Sequence, residues 1–132
     1  MSAQNAVNEA IEDIISMMNE AQHMAIVRRG ALSTGDSITC EIGPSVPLHT
    51  FLNKHEVIPL DITINGKSAD LQRVTQALSD IHYALVRRTT YPAGIGWEIT
   101  DISDAVMPQI IGRETNNDWL VASQLTASLH IM

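Results

Sequence analysis

The sequence predicts an α+β domain over residues 1–132: a mainly antiparallel sheet with two helices packed on one face, in the order α-β-β-α-β-β. Two stretches carry apolar residues at three- and four-residue spacing, the period of one helix face. Others alternate apolar and polar residues, the period of a half-buried strand. The strand-like runs are clustered, which suits helices segregated to one face of a sheet.

The first helix runs from Asn5 to about Val27, where Val7, Ile11, Ile14, Ile15, Met18, Ala21 and Ala25 form one stripe. Arg28-Arg29-Gly30 reads as its end, with Gly30 available for a left-handed cap. Ser37 to Ile42 alternates as a short strand closed by Gly43-Pro44. Ser45 to Asn53 has little periodicity and reads as a loop. Val57 to Ile64 is a second strand, ended by the turn signal Asn65-Gly66. Pro59 has no N–H for a ladder, so it belongs at a strand start, an edge or a bulge. Ser68 can cap a second helix whose stripe is Leu71, Val74, Leu78, Ile81 and Leu85, with Val86 at its margin, closed by Arg87-Arg88. Thr89 to Gly96 is a breaker cluster and a connection.

Trp97 to Ser103 is the third strand. Gly112 to Asp118 has almost nothing to bury and forms a polar turn. Trp119 to Ile131 is the longest alternating run. Trp119, Val121, Leu125, Ala127, Leu129 and Ile131 line one face, broken only by Ser123. Gln124, Thr126, Ser128 and His130 face the other way, so one side is packed and the other wet.

Composition narrows the function classes. The 132 residues are 45% hydrophobic and 17% charged, as in an ordinary soluble globular domain. Fifteen acidic residues against eight basic ones leave a net charge of −7. A generic nucleic-acid binder needs a Lys/Arg excess to neutralise phosphates, and this chain lacks one. The Arg28-Arg29 and Arg87-Arg88 pairs read as solvated cations near helix C-termini. Apolar runs fall well short of the roughly 18 residues that span a bilayer, and the amino terminus has no signal-like pattern. No membrane association is expected. A single cysteine, Cys40, excludes an internal disulfide and reads as a small core side chain.

No catalytic or metal constellation emerges. His23, His49, His55, His82 and His130 are scattered without zinc spacing. Gly94-Ile95-Gly96 follows a helix and precedes a strand, the reverse of a dinucleotide fingerprint. Asp101 and Asp104 read as solvated turn-formers. The expectation is a non-enzyme with no cofactor and no metal.

The carboxyl-terminal half carries a resemblance. Its residues are Ile62–Lys67, Ala77–Leu85, Thr89–Pro92, Trp97–Ile102, Met107–Glu114 and Trp119–Leu125. In that order they resemble minor capsid proteins of tailed phages and prophages of Gram-positive bacteria. Ala122 and Gln124 depart from that pattern, which has an aromatic or basic residue there. The resemblance implies a tail-terminator or head–tail completion subunit, made in the bacterial cytoplasm and placed in the virion at the head–tail junction. It implies self-association into a ring, commonly a hexamer, and contacts with neck and tail-tube proteins. DNA would at most pass by. Candidate contact residues are Arg113, Glu114 and Asn117 in the polar turn and Gln124, Thr126 and Ser128 on the wet face, with Trp119 as a core anchor. A small-ligand-binding or regulatory adaptor domain in the cytoplasm is the alternative.

Overall fold

The computed structural model describes residues 3–44, 56–88, 90–114 and 116–131. It is an α+β fold with two helices and one six-stranded mixed sheet, curled into a half-barrel. The elements are α1 (Ala3–Ala21), β1 (Val27–Arg29), β2 (Ser37–Pro44), β3 (Glu56–Ser68), α2 (Leu71–Val86), β4 (Ala93–Gly94), β5 (Trp97–Arg113) and β6 (Trp119–Ile131). Their spatial order is β1-β2-β3-β6-β5-β4. Every pairing is antiparallel except β1 with β2, which is parallel.

The predicted class and both helices are found, but four boundaries are corrected. The first helix stops at Ala21 and does not reach Val27. Gln22 Oε1 accepts from the Met24 and Ala25 amides at 2.8 and 3.3 Å, and Asn19 Oδ1 accepts from Val27 at 2.7 Å. These local bonds turn the chain out of the helix and launch an edge strand. Arg28 and Arg29 therefore lie on β1, not at a helix C-terminus. Gly30 takes its positive φ of 104° after a strand.

Asn65-Gly66 is not a turn. The strand β3 runs straight through it to Ser68, pairing Gly66 with Val121. Glycine is required for closeness rather than for a turn. A Cβ at position 66 would lie 2.6 Å from Val74 Cγ2 and 2.8 Å from Leu78 Cδ1, so α2 rests on the bare backbone. The helix cap is Asp70 rather than Ser68: its carboxylate accepts from the Gln72 and Arg73 amides. Ser68 Oγ instead accepts from Asp70 N and donates to Asp36 at 2.7 Å.

The third predicted strand is much longer than its alternation showed. β5 absorbs the Met107–Ile111 segment and runs 17 residues with four register shifts against β6. The shift between Ile99 and Asp101 lets Trp97, Ile99 and Ile102 all face the core despite their uneven spacing. The connection also contains β4, a two-residue edge strand closing over the Trp97 indole. The predicted Ser45–Asn53 loop lies outside the described residues.

The core is one cluster. Ile14 and Met18 of α1 and Leu78, Ile81 and Leu85 of α2 pack on Ile38, Leu60, Ile62, Ile64, Leu125 and Leu129 of the sheet. Strand alternation puts the other sheet face on the opposite side, with no helix covering it among the described residues.

Candidate functional site

The end of the β5–β6 hairpin gathers the predicted turn residues. Arg113 lies over the Trp119 ring at 4.5 Å and donates from Nε to the Asn117 carbonyl at 3.2 Å. Asn117 takes φ 71°, the left-handed position asparagine tolerates. Its amide donates to Glu114 O, and the Glu114 amide donates to Asp118 O. Arg113, Glu114 and Asn117 thus come together, and each helps hold the turn. Trp119 is only half-buried beneath Arg113. The core anchor is Trp97, 2% exposed, whose Nε1 donates to Glu9 on α1 at 2.6 Å.

Lys67 reaches the same region from β3. It is 6% exposed, and its ammonium lies 3.6 Å from Glu114. A cation this buried depends on its counter-charge. Glu114→Ala is expected to cost about 1–3 kcal/mol by leaving that charge unpaired. Adding Lys67→Met should recover most of the loss in urea denaturation. An additive double variant would show that the pair is not coupled.

The wet face of β6 is built as predicted from Gln124, Thr126, Ser128 and His130. Their cross-strand neighbours on β3 and β5 are Thr63 and Val106, Asp61 and Ser103, Pro59 and Asp101, and Val57 and Glu98 respectively. Register partners share a face. Glu41, opposite Thr63, joins Asp61, Glu98 and Asp101 there, against Arg28 and the ion-paired Lys67, so the uncovered face is net acidic.

Sequence reasoning missed a buried polar pair. His82, 2% exposed on α2, holds Asp104 of β5 through Nδ1 at 2.7 Å. Its Nε2 is buried and finds no hydrogen-bond partner among the described residues, nor does Ser123 Oγ. The imidazole atom that a general base would present therefore points inward. No sequence spacing marks this pair, because 22 residues separate its members. Asp104, Asp80, Tyr83 and Arg87 rim an adjacent cavity of about 340 Å³. A larger apolar groove of about 740 Å³ lies between α2 and the outer half of β5, lined by Leu71, Thr75, Pro108, Ile110 and Val121.

Cys40 is fully buried on β2. Burial pushes its thiol up to about 11, with Arg29 opposing the shift and Glu41 adding to it. A raised thiol favours the folded state below the unfolded value of 9.0, and that advantage is lost as pH rises through 11. Native protein should resist a disulfide reagent at pH 8 and react only when unfolded. Rapid native labelling at pH 8 would contradict this burial. Among the described residues no three His, Cys, Asp or Glu side chains are grouped as metal ligands, and no helix is long and apolar enough to cross a membrane.

No protein-family model and no curated protein matches the chain. Its fold does match solved structures. One protein without a functional name superposes with a TM-score of 0.63 at 15% identity, covering 98% of this chain and 96% of that one. A chain from the virion of a native gene transfer agent particle superposes with a TM-score of 0.55 at 13% identity, covering 98% and 95%. At such identities the likeness is one of fold, and it runs nearly end to end in both chains.

Proposed function

We propose that this chain is a structural, non-catalytic component of a phage-like virion, acting as a tail-terminator or head–tail completion subunit of a tailed phage or prophage. The observation that carries this reading is the fold shared end to end with a chain of a gene transfer agent virion. The resemblance of Val57 to Met132 to phage minor capsid proteins points the same way and is the sole basis for a Gram-positive host. The subunit self-associates into a ring, six-fold by the same resemblance, and meets neck and tail-tube proteins through the hairpin turn and the wet face.

The acidic sheet face suits a channel wall. Glu41, Asp61, Glu98 and Asp101 would repel phosphates and let DNA slide rather than bind. Reversing these charges to Lys should slow DNA ejection, and unchanged infectivity would count against this placement.

Deleting the gene from its parent phage tests the role itself. Electron microscopy should show heads and tails that fail to join, or tails of uncontrolled length. Normal particles would refute it. For the isolated protein, light scattering should give about 87 kDa for six copies of the 14.5 kDa chain. The small-ligand alternative draws on the 340 Å³ cavity beside His82 and Asp104. It predicts a strict monomer whose melting temperature rises with a small polar ligand.

A further inference from the structure

The open edge of β5 is complementary to itself when read in the reverse direction. We propose that it forms a two-fold contact with a second copy of the chain, β5 meeting β5 antiparallel about Gln109. This goes beyond the ring reading above, because an isologous contact closes on two copies whereas a ring is closed by heterologous ones.

β4 pairs only with Trp97 and Glu98, so β5 has no outer strand from Asp101 onward among the described residues. Along that open edge Met107, Ile110 and Ile111 are 53%, 55% and 61% exposed. Asp104 and Arg113 flank them and are exposed as well. Large apolar side chains held in water on an unpaired edge mark a surface that pairs with another chain.

Because β5 shifts register, places along it are counted on β6. Asp104 lies opposite Leu125, Gln109 opposite Ala122, Ile110 opposite Val121 and Arg113 opposite Trp119. Met107 and Pro108 fall between the Val106–Gln124 and Gln109–Ala122 pairs, so they share the place opposite Ser123. Counted this way, Asp104, Met107, Ile110 and Arg113 stand two places apart, on the helix side of the sheet. Met107 lines the cavity beside α2 and Arg113 lies over the Trp119 ring, which fixes the same side. Gln109 is the midpoint, three places from Asp104 (Leu125 to Ala122) and three from Arg113 (Ala122 to Trp119). A two-fold axis through Gln109 therefore sets Asp104 against the partner's Arg113 and Met107 against the partner's Ile110, each pair occurring twice. Charge and apolar matches fall in this one register. Asp104 holds His82 through Oδ1 and offers Oδ2, while Arg113 uses Nε for Asn117 and offers its terminal nitrogens. Pro108 has no N–H, so side chains rather than a full ladder set the specificity.

The test is disulfide cross-linking of the full chain. Q109C lies on the axis, so mild oxidation should join two copies and no more, giving a band of about 29 kDa from the 14.5 kDa chain. Cys40 is buried and does not compete. S103C is exposed on the same edge but four places off the axis (Thr126 to Ala122), and should cross-link about tenfold more slowly. Added to Q109C, R113D sets like charges together and I110D sets a charge against Met107, and each should slow cross-linking by about tenfold. The R113D defect should shrink at about 1 M salt, where the charges are screened, and the I110D defect should not. Q109C dimers that form no faster than S103C dimers, or neither R113D nor I110D slowing them, would overturn the two-fold contact. The ring reading is judged separately, by its six-copy mass, and survives that outcome.

Discussion

Replacing Trp97 with Ala should cost about 3–5 kcal/mol and lower the melting temperature by about 10–20 °C. The indole is 2% exposed at the point where β5 enters the core. Ile131 of β6 is its cross-strand partner, and β4 closes over it tightly enough that a Cβ at Gly94 would clash with the ring. Removing the ring deletes its packing against β4 and β6 and opens a cavity where β5 enters the core. The hydrogen bond to Glu9 is lost as well, but Glu9 is exposed and can return to water. Trp97→Phe separates the effects: it keeps most of the packing and should cost about 1–2 kcal/mol. Urea unfolding followed by circular dichroism gives both values. A loss under about 1 kcal/mol for the alanine variant would contradict the anchoring role.

The second large effect is expected at Gly66. An alanine there forces the stiff Val74 side chain and the fully buried Leu78 to move, costing about 1–3 kcal/mol, and a valine should cost more. The position does not need glycine's backbone freedom, since it is regular strand paired with Val121. Steric relief should therefore rescue it. Gly66→Ala combined with Val74→Ala is expected to be less destabilised than the sum of the two single changes. Strict additivity would mean that α2 can shift outward at little expense. That outcome would also loosen the apolar groove between α2 and β5, so the stability test bears on the surface offered to partners.

The wet face shows what survives the passage from sequence to fold. Gln124, Thr126, Ser128 and His130 were legible from alternation alone, because strand geometry sends successive side chains to opposite faces whatever the partners are. Both helix stripes were legible for the equivalent reason at period 3.6. The failures share a different cause. Asn65-Gly66 carries a turn signature, yet its glycine answers to Val74 and Leu78 on a later helix. Arg28 and Arg29 look like a helix end, yet Gln22 and Asn19 divert the chain before it reaches them. Trp119 and Trp97 both open alternating strands, but only Trp97 is covered, by β4 and α1. The His82–Asp104 pair leaves no local trace at all.

Local periodicity is a property of a few consecutive residues, so the sequence by itself determined the α+β class, the two helices and the packed and wet sides of the closing strand. Pairing partners, bulges and edges depend on residues far apart in the chain. Only the tertiary structure could decide that β1 joins in parallel, that β5 shifts register four times, and that an arginine pair and an aspartate pair end up on opposite edges of one sheet. Register between distant segments is set by packing of the whole core, and no short window of sequence contains it.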